Sequence, residues 1–197
     1  MNEGQVLDGE DVIPVGAPRE VYELPEAHGW SARPGNKILV LDRGAVVLEF
    51  PRDWFVQPGA EQTEIRDRAP PADSTCVLAI SYLRLPAADW RGLPVRELLL
   101  GAVRDEGREY IGHSQTIEAR HGNLDLAWTE LRVIDARERR EARSRFCLAR
   151  GDGIQCLMSL DFWPEDEARL DTVWENVLDS LRLNAIVDDP TKGRRIE

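Results

Sequence analysis

No stretch of this 197-residue sequence approaches the roughly 20 consecutive apolar residues that a membrane-spanning helix needs. The first thirty residues contain seven acidic side chains and lack the apolar core of a secretory signal peptide. We therefore expect a cytoplasmic protein that does not insert into a membrane.

Positive charge is also scarce. The chain has 25 lysine and arginine residues against 36 aspartate and glutamate residues, a net charge of −11 at pH 7, and only Lys37 and Lys192 are lysines. A nucleic-acid-binding protein needs a basic surface for the phosphates, so this acidic balance argues against that class. It is compatible with a soluble protein that binds basic or amphipathic partners.

Cysteine is rare, and its pattern gives no disulfide framework. Cys76, Cys147 and Cys156 cannot all pair, and no C-x-x-C sequence occurs. Each lies in an apolar, strand-like segment, where a reduced cysteine packs as a small hydrophobic residue. Cys147 and Cys156 flank a predicted turn at 151–153, so a cross-strand disulfide is an alternative to core packing.

The sequence also lacks the common patterns of catalytic and metal sites. It has no G-x-S-x-G, no glycine-rich phosphate loop, no H-x-H and no H-E-x-x-H. His113 and His121 are eight residues apart, so an unbroken strand would place them on one face, with Glu118 and Asp125 nearby. Two such histidines fall short of the three or four converging ligands of a metal site. We expect no catalytic residue, no cofactor and no metal.

The composition divides the chain into three parts. Residues 1–37 contain four prolines and five glycines with little periodicity, which predicts a loosely ordered acidic arm that docks one strand near Val21–Leu24. Residues 38–187 carry the regular patterns and predict a single α+β domain. Residues 188–197 predict a polar tail.

The body of the chain is predicted to be a set of strands with one helix between them. Val46–Phe50 predicts a strand with Gln62–Arg66 as its hairpin partner, and Thr75–Leu85 predicts a central strand. Pro94 begins a helix with one apolar side, formed by Val95, Leu98, Leu99, Ala102 and Val103. Four further strands follow, at 114–120, 124–134, 142–150 and 154–162.

The last part of the domain has the clearest helical pattern. Pro164 suits the first helical position, and the three acidic residues after it complement the helix dipole. The apolar residues then recur at helical spacing up to a predicted end near Leu183: Leu170, Val173, Trp174, Val177, Leu178 and Leu181. Because strands and helices are segregated, we predict an α+β fold, an antiparallel β-sheet flanked by helices in an α/β/α-like sandwich with a long C-terminal amphipathic helix.

Two segments resemble the PsbP-like fold group, which includes DcrB-like bacterial proteins. Residues 47–54, VLEFPRDW, are similar to its opening pattern of a strand, a proline and a tryptophan, and residues 174–181, WENVLDSL, are similar to its closing helix. The resemblance covers roughly residues 38–185 and implies an α/β/α-like sandwich. Members are mostly non-enzymatic: photosystem accessory subunits, small-GTPase binders, lipoproteins, and secretion chaperones that shield amphipathic or transmembrane segments of a cargo protein.

One polar cluster stands out at 137–145, RERREARSR, with five arginines in nine residues. Because arginine is a planar, bidentate donor, the cluster predicts a docking patch for a carboxylate-rich or phosphate-bearing partner. The alternative is a solvated hairpin connection, since Glu138 and Glu141 neutralise part of the charge. The residues assigned to the patch are Arg137, Arg139, Arg140 and Arg143.

Four apolar residues, at the end of the central strand and in the segment after it, predict a hydrophobic groove beside the first helix: Leu83, Leu85, Trp90 and Leu93. We expect a non-enzymatic binding or adaptor protein, such as a secretion-effector chaperone, that engages an apolar or amphipathic segment of a protein partner on a sheet face or groove. A small-ligand-binding domain of the helix-grip type is the alternative. A homodimer is left open.

Overall fold

The computed structural model describes residues 21–24, 30–88, 90, 93–104, 108–185, 187–189 and 194–195. The helices there are α1 (Val95–Arg104) and α2 (Glu167–Ser180), and a short 3-10 turn precedes α2. The strands, numbered along the chain, are β1 (Val21–Leu24), β2 (Asn36–Leu41), β3 (Val46–Pro51), β4 (Phe55–Pro58), β5 (Thr63–Arg66), β6 (Cys76–Arg84), β7 (Glu109–His113), β8 (Ile117–His121), β9 (Leu124–Ile134), β10 (Glu141–Gly151), β11 (Ile154–Phe162), β12 (Arg182–Leu183), β13 (Val187–Asp189) and β14 (Arg194–Arg195).

A large antiparallel sheet forms the centre of the molecule. Its strand order is β4-β5-β6-β11-β10-β9-β7, and β8 also pairs with β9. Successive side chains of a strand point to opposite sides, so β10 presents Phe146 and Leu148 to one side and Cys147 and Ala149 to the other. The first pair packs with α1 and the second with α2. We call the α1 side the outer side and the α2 side the inner side.

The main core lies on the inner side. There α2 buries Leu170, Trp174 and Val177 against the large sheet, and Trp174 meets the half-buried Trp128 of β9 edge to face, with ring centroids 5.9 Å apart. A second sheet, β1-β2-β3-β12, contributes apolar side chains of β2 and β3 to the same core. The α2 helix therefore packs its apolar side into a core that both sheets line, and its end contacts β3, where the Glu49 backbone N–H donates to the Ser180 hydroxyl oxygen at 2.8 Å.

The predicted antiparallel sheet with two helices, one of them near the C-terminus, is confirmed. The strand near Val21–Leu24 is also present as β1, which pairs with β2, while residues 1–20 and 25–29 of the predicted arm lie outside the described residues. Cys76, Cys147 and Cys156 are all buried in the main core, so the core-packing prediction is confirmed.

Two predictions about element partners and ends are wrong. Residues 63–66 pair with β4 and β6, and not with β3, because β3 lies in the second sheet between β2 and β12. The last helix ends at Ser180, since Leu181 is extended and Arg182–Leu183 pair with β3. At the predicted polar tail, β13 and β14 pair in antiparallel orientation.

The helix α1 buries a narrower side than its sequence predicts. Leu99 is fully buried, and Val95 and Val103 pack beside it against β9 and β10. Leu98 and Ala102, predicted on the same side, are exposed instead. An α-helix turns by about 100° per residue, so these two residues lie on one flank of α1 and not beneath it.

Candidate functional site

The outer side of the large sheet is only partly covered. The helix α1 packs on β9 and β10, and of the helices that the structure describes only α1 lies on this side. Next to it, β6 and β11 present a strip of side chains of which none is fully buried. We call this strip the outer face; its residues are Val77, Ala79, Ser81 and Leu83 of β6, and Gln155, Leu157, Ser159 and Asp161 of β11.

Small side chains occupy the middle of the outer face, where Ala79 pairs with Ser159 and Ser81 with Leu157. Neighbouring strands lie about 4.8 Å apart, so the middle of β6 and β11 is roughly 10 Å from the middle of β9 and β10. That distance is also the spacing of two packed helices. The outer face therefore has room for one further helix beside α1.

The exposed flank of α1 lines the outer face. Arg96 lies on the opposite flank, because its guanidinium contacts the Glu118 carboxylate of β8 at 3.7 Å. Leu98 and Ala102 consequently lie toward β11 and β6. A segment seated on the outer face would thus contact an apolar helix flank as well as the sheet.

The predicted groove residues lie at one end of the outer face. Leu83 and Leu93 are exposed, and Leu85 and Trp90 are half-buried, so none of the four belongs to the core. The loop that carries them is held by the buried Arg150, whose Nη1 donates to the carbonyl oxygens of Trp90 and Leu93 at 3.4 and 3.5 Å. The partner-binding role of the four residues stays a prediction.

The predicted arginines lie at the other end of the outer face, in and just after the turn between β9 and β10. From Arg143 to Arg150 the strand β10 advances roughly 23 Å at 3.3 Å per residue. The structure therefore does not bring the two predicted sets together. Instead, they lie at the two ends of one strip.

Each predicted arginine has a carboxylate of this chain within 4.0 Å. The distances are 3.7 Å for Arg137–Glu138, 3.8 Å for Arg139–Glu109, 2.9 Å for Arg140–Glu165 and 2.7 Å for Arg143–Glu130. Much of the positive charge is therefore neutralised within the protein, as the solvated-hairpin alternative requires. A docking role for the arginines stays a prediction.

Arg140 is fixed by an aromatic ring as well as by charge. Its guanidinium lies 3.7 Å from the ring centroid of Trp163, in a cation–π contact. The pKa of Glu165 is lowered by a hydrogen bond from the backbone N–H of Glu165 to its own carboxylate, and then by the hydrogen bond from Arg140. Arg140 therefore ties the turn to the segment that leads into α2.

A cleft of about 420 Å³ opens beside the arginine turn and continues the outer face. Apolar side chains, among them Val77, Val133 and Trp163, line it together with Arg108 and Arg139. A second cleft, of about 370 Å³, lies between the second sheet and the end of α2. Both open to solvent, whereas a helix-grip ligand site needs an enclosed apolar cavity.

Arg108 is a residue of this site that the sequence analysis missed. Its Nη1 donates to the Asp161 carboxylate at 2.8 Å and its Nη2 to the Ser144 hydroxyl oxygen at 2.9 Å. The hydroxyl of Ser144 in turn donates to Asp161. The sequence places the polar Ser144 and Asp161 within two apolar strands. That pattern does not show that the two side chains meet each other or Arg108.

Arg139 is held in a strained backbone conformation, with φ of 52°. A residue with a side chain is destabilised by about 1–2 kcal/mol in the left-handed region, and glycine avoids this strain. Glycine also gives the unfolded chain more conformational entropy, which offsets about 0.5–1 kcal/mol of the stabilisation. We expect Arg139→Gly to raise the free energy of unfolding by about 0.5–1 kcal/mol in a urea titration. The control is Arg137→Gly, in the same turn but at a residue without positive φ. This substitution is expected to lower the free energy of unfolding. A lower stability of Arg139→Gly would show that the contacts of Arg139 outweigh the strain.

The histidines do not share one strand. His113 ends β7 opposite Leu131 of β9, and His121 ends β8 opposite Leu124. These positions lie seven residues apart along β9, roughly 23 Å, so the unbroken strand that would place both histidines on one face is not formed. Within the described ranges, no group of three or more His, Cys, Asp or Glu side chains is placed to hold a metal ion.

Two of the cysteines are poor nucleophiles in this fold. Burial, followed by the charge of Asp67, raises the pKa of the Cys76 thiol to about 12. Burial also raises the pKa of Cys147 well above its ordinary value. Because the thiolate is the reactive form, both side chains stay protonated at neutral pH.

The comparisons with known proteins establish the family. Residues 37–187 match the Alr1449 family. The chain belongs to this family. It is 36% identical over 176 residues to the protein alr1449 of Nostoc sp. (strain PCC 7120 / SAG 25.82 / UTEX 2576), a match that covers 89% of this chain and 91% of that protein.

Solved structures show what the Alr1449 fold is similar to. The Ran-binding protein Mog1p of Saccharomyces cerevisiae is 11% identical over 75% of this chain and 95% of its own, with a TM-score of 0.51. A mutant form of Mog1 gives 10% identity, 78% and 97% coverage, and a TM-score of 0.52. The solution structure of PsbP (CyanoP) from Synechocystis sp. PCC 6803 is 13% identical over 91% of this chain and 99% of its own, with a TM-score of 0.47.

The predicted PsbP-like fold is confirmed by the two Mog1 structures. Membership of the DcrB-like branch stays a prediction. Among the described residues, the Alr1449 chain has no helix of the length and apolar character that a membrane span requires.

Proposed function

We propose that this Alr1449-family chain is a non-enzymatic binding or adaptor protein whose outer face covers an apolar or amphipathic segment of a protein partner. One observation carries the proposal. No described element covers the outer face, and its rim exposes Leu83 by 50%, Leu93 by 45% and Leu98 by 42%. Exposed large apolar side chains grouped around an uncovered sheet face are typical of interaction sites in soluble proteins.

The shape of the outer face favours a helical segment. Its small central residues form a shallow floor and α1 forms one wall, so a helix seated there would extend the helical layer of the predicted α/β/α-like sandwich. An amphipathic helix placed there would pack its apolar side on Leu83, Leu98 and Leu157 and leave its polar side in solvent. The cleft beside Arg139 would accept a large side chain at one end of that helix.

The charge of the protein favours a partner with basic flanks. The net charge of −11 attracts a basic segment and slows the approach of an acidic one. The arginines of the turn form ion pairs within the chain. They would therefore add polar contacts at the edge of the binding site, while the main electrostatic attraction for the partner would come from the acidic residues.

The similarity to the Ran-binding protein Mog1p concerns the fold, and a fold hosts many functions. The similarity supports the proposal in so far as a protein of this fold binds another protein. It does not identify a partner for this chain. A cytoplasmic secretion-effector chaperone, which covers apolar segments of its cargo, is a specific form of the same proposal. The helix-grip alternative lacks an enclosed cavity among the clefts described above.

The proposal is tested by site-specific photo-cross-linking in cells of the source organism. A photo-reactive amino acid is placed at Leu83 on the outer face, and in a matched control at Glu175 on the exposed side of α2. We expect one partner protein to cross-link from Leu83 and not from Glu175. Peptide mass spectrometry should place the cross-link in an apolar or amphipathic segment of that partner. No cross-link from Leu83, or the same products from both positions, would contradict the proposal.

A further inference from the structure

The strand β8 is an unusual edge of the large sheet. It pairs with β9 on one side, and no strand of the described residues pairs with it on the other. Ile117 is 47% exposed, although it lies next to the core strand β9. An edge strand leaves a row of backbone N–H and C=O groups that a further strand can pair with. The strand β8 therefore has both the backbone groups and the apolar surface for an additional strand.

The sequence of β8, IEARH, is complementary to itself in the antiparallel direction. If two copies of β8 pair about Ala119, Glu118 of each copy lies opposite Arg120 of the other. Directly opposed residues share one side of a sheet, so two opposite-charge pairs form on the outer side. The small side chain of Ala119 lies at the two-fold axis, where two strands can approach closely.

The ion pairs that Glu118 and Arg120 form within one copy compete only weakly with pairing to a second copy. Glu118 meets Arg96 at 3.7 Å and Arg120 meets Asp125 at 3.3 Å, with the Glu118 and Arg120 side chains 58% and 69% exposed. Exposed ion pairs of this kind contribute little to stability, so both charges are available to a second copy. Both lie on the outer side, as their contacts with α1 and β9 show, and Ala119 packs toward the inner core.

We propose that two copies of this chain associate through β8, in antiparallel register about Ala119, so that the two large sheets join into one. The interface is isologous, because the same strand contributes both halves. It leaves the outer face of each copy uncovered, since the contact lies at the far side of α1. A dimer would thus present two outer faces.

The test uses charge reversal and its rescue. Glu118→Arg places an arginine opposite Arg120 at both pairs of the dimer, and Arg120→Glu places a glutamate opposite Glu118 at both pairs. We expect either variant to weaken dimerisation on the order of 10- to 100-fold in sedimentation equilibrium, since two attractive pairs become repulsive. The double variant Glu118→Arg with Arg120→Glu restores both pairs and therefore dimerisation.

Mixing the two single variants gives a second, independent readout. Each is expected to be monomeric alone. The mixture is expected to form a heterodimer, because one copy then carries two arginines at these positions and the other copy two glutamates. A wild type that stays monomeric at high micromolar concentration would overturn the proposal. Single variants that dimerise like the wild type, or a double variant that does not, would also overturn this register.

Discussion

Replacing Glu130 with alanine is expected to lower the free energy of unfolding by about 3–5 kcal/mol. The Glu130 carboxylate accepts from Arg143 Nη1 at 2.7 Å and from Arg145 Nε at 2.8 Å, and the Arg145 side chain is almost fully buried. Without Glu130, the buried guanidinium keeps one carboxylate partner, Asp171, whose side chain is mostly exposed on α2, beside a long hydrogen bond to the Leu170 carbonyl oxygen. The free energy of unfolding falls because the buried positive charge of Arg145 is then only partly balanced by negative charge. Urea unfolding measures this change.

The control for this prediction is Glu141→Ala. Glu141 also pairs with arginines, at 2.8 Å from Arg132 and 3.3 Å from Arg143, but in an exposed position. Solvent screens such a pair and its contribution to stability is small, so this variant should unfold almost like the wild type. Equal losses in the two variants would contradict the distinction between the buried and the exposed pairs.

The second large effect is expected at Trp174, the central side chain of α2. Trp174 is buried in the main core and contacts Trp128, so Trp174→Ala should cost about 3–5 kcal/mol through lost packing and a cavity. In the part of the chain that the structure describes, its indole N–H has no hydrogen-bond partner. Trp174→Phe, which removes that buried N–H while keeping an aromatic ring, should therefore cost much less.

Urea unfolding of both Trp174 variants separates packing from polarity. A loss for Trp174→Phe as large as that for Trp174→Ala would show that the indole N–H contributes a hydrogen bond. A loss of less than about 1 kcal/mol for Trp174→Ala would contradict the packing of α2 into the main core.

The helix α2 and the strands β6 and β9 to β11 follow from local patterns, because their apolar periodicity coincides with burial in one core. The second sheet does not follow from such patterns. Its strands β2 and β3 are apolar on both sides, since they face the main core on one side and Trp30, Ala185 and Val187 on the other. A continuous apolar run does not indicate which strand it pairs with, so the partner of β3 was predicted wrongly.

The candidate site was predictable only in its parts. Leu83 lies near the end of β6 and Leu93 in the segment before α1, and both are exposed, as a groove accessible to a partner requires. The charge state of the arginine turn does not follow from its sequence alone. Glu130 and Glu165 neutralise Arg143 and Arg140 from distant positions in the chain, and only the fold brings them together.

The most direct test of the binding proposal is to block the outer face and repeat the cross-link from Leu83. Ala79→Arg places a long charged side chain on the small-residue floor, and Glu175→Arg adds the same side chain on α2 as a control for charge. We predict that Ala79→Arg reduces the cross-linked partner at least tenfold, while Glu175→Arg leaves it unchanged and both variants unfold like the wild type. An undiminished cross-link in the folded Ala79→Arg variant would contradict the account, because the partner would then bind elsewhere.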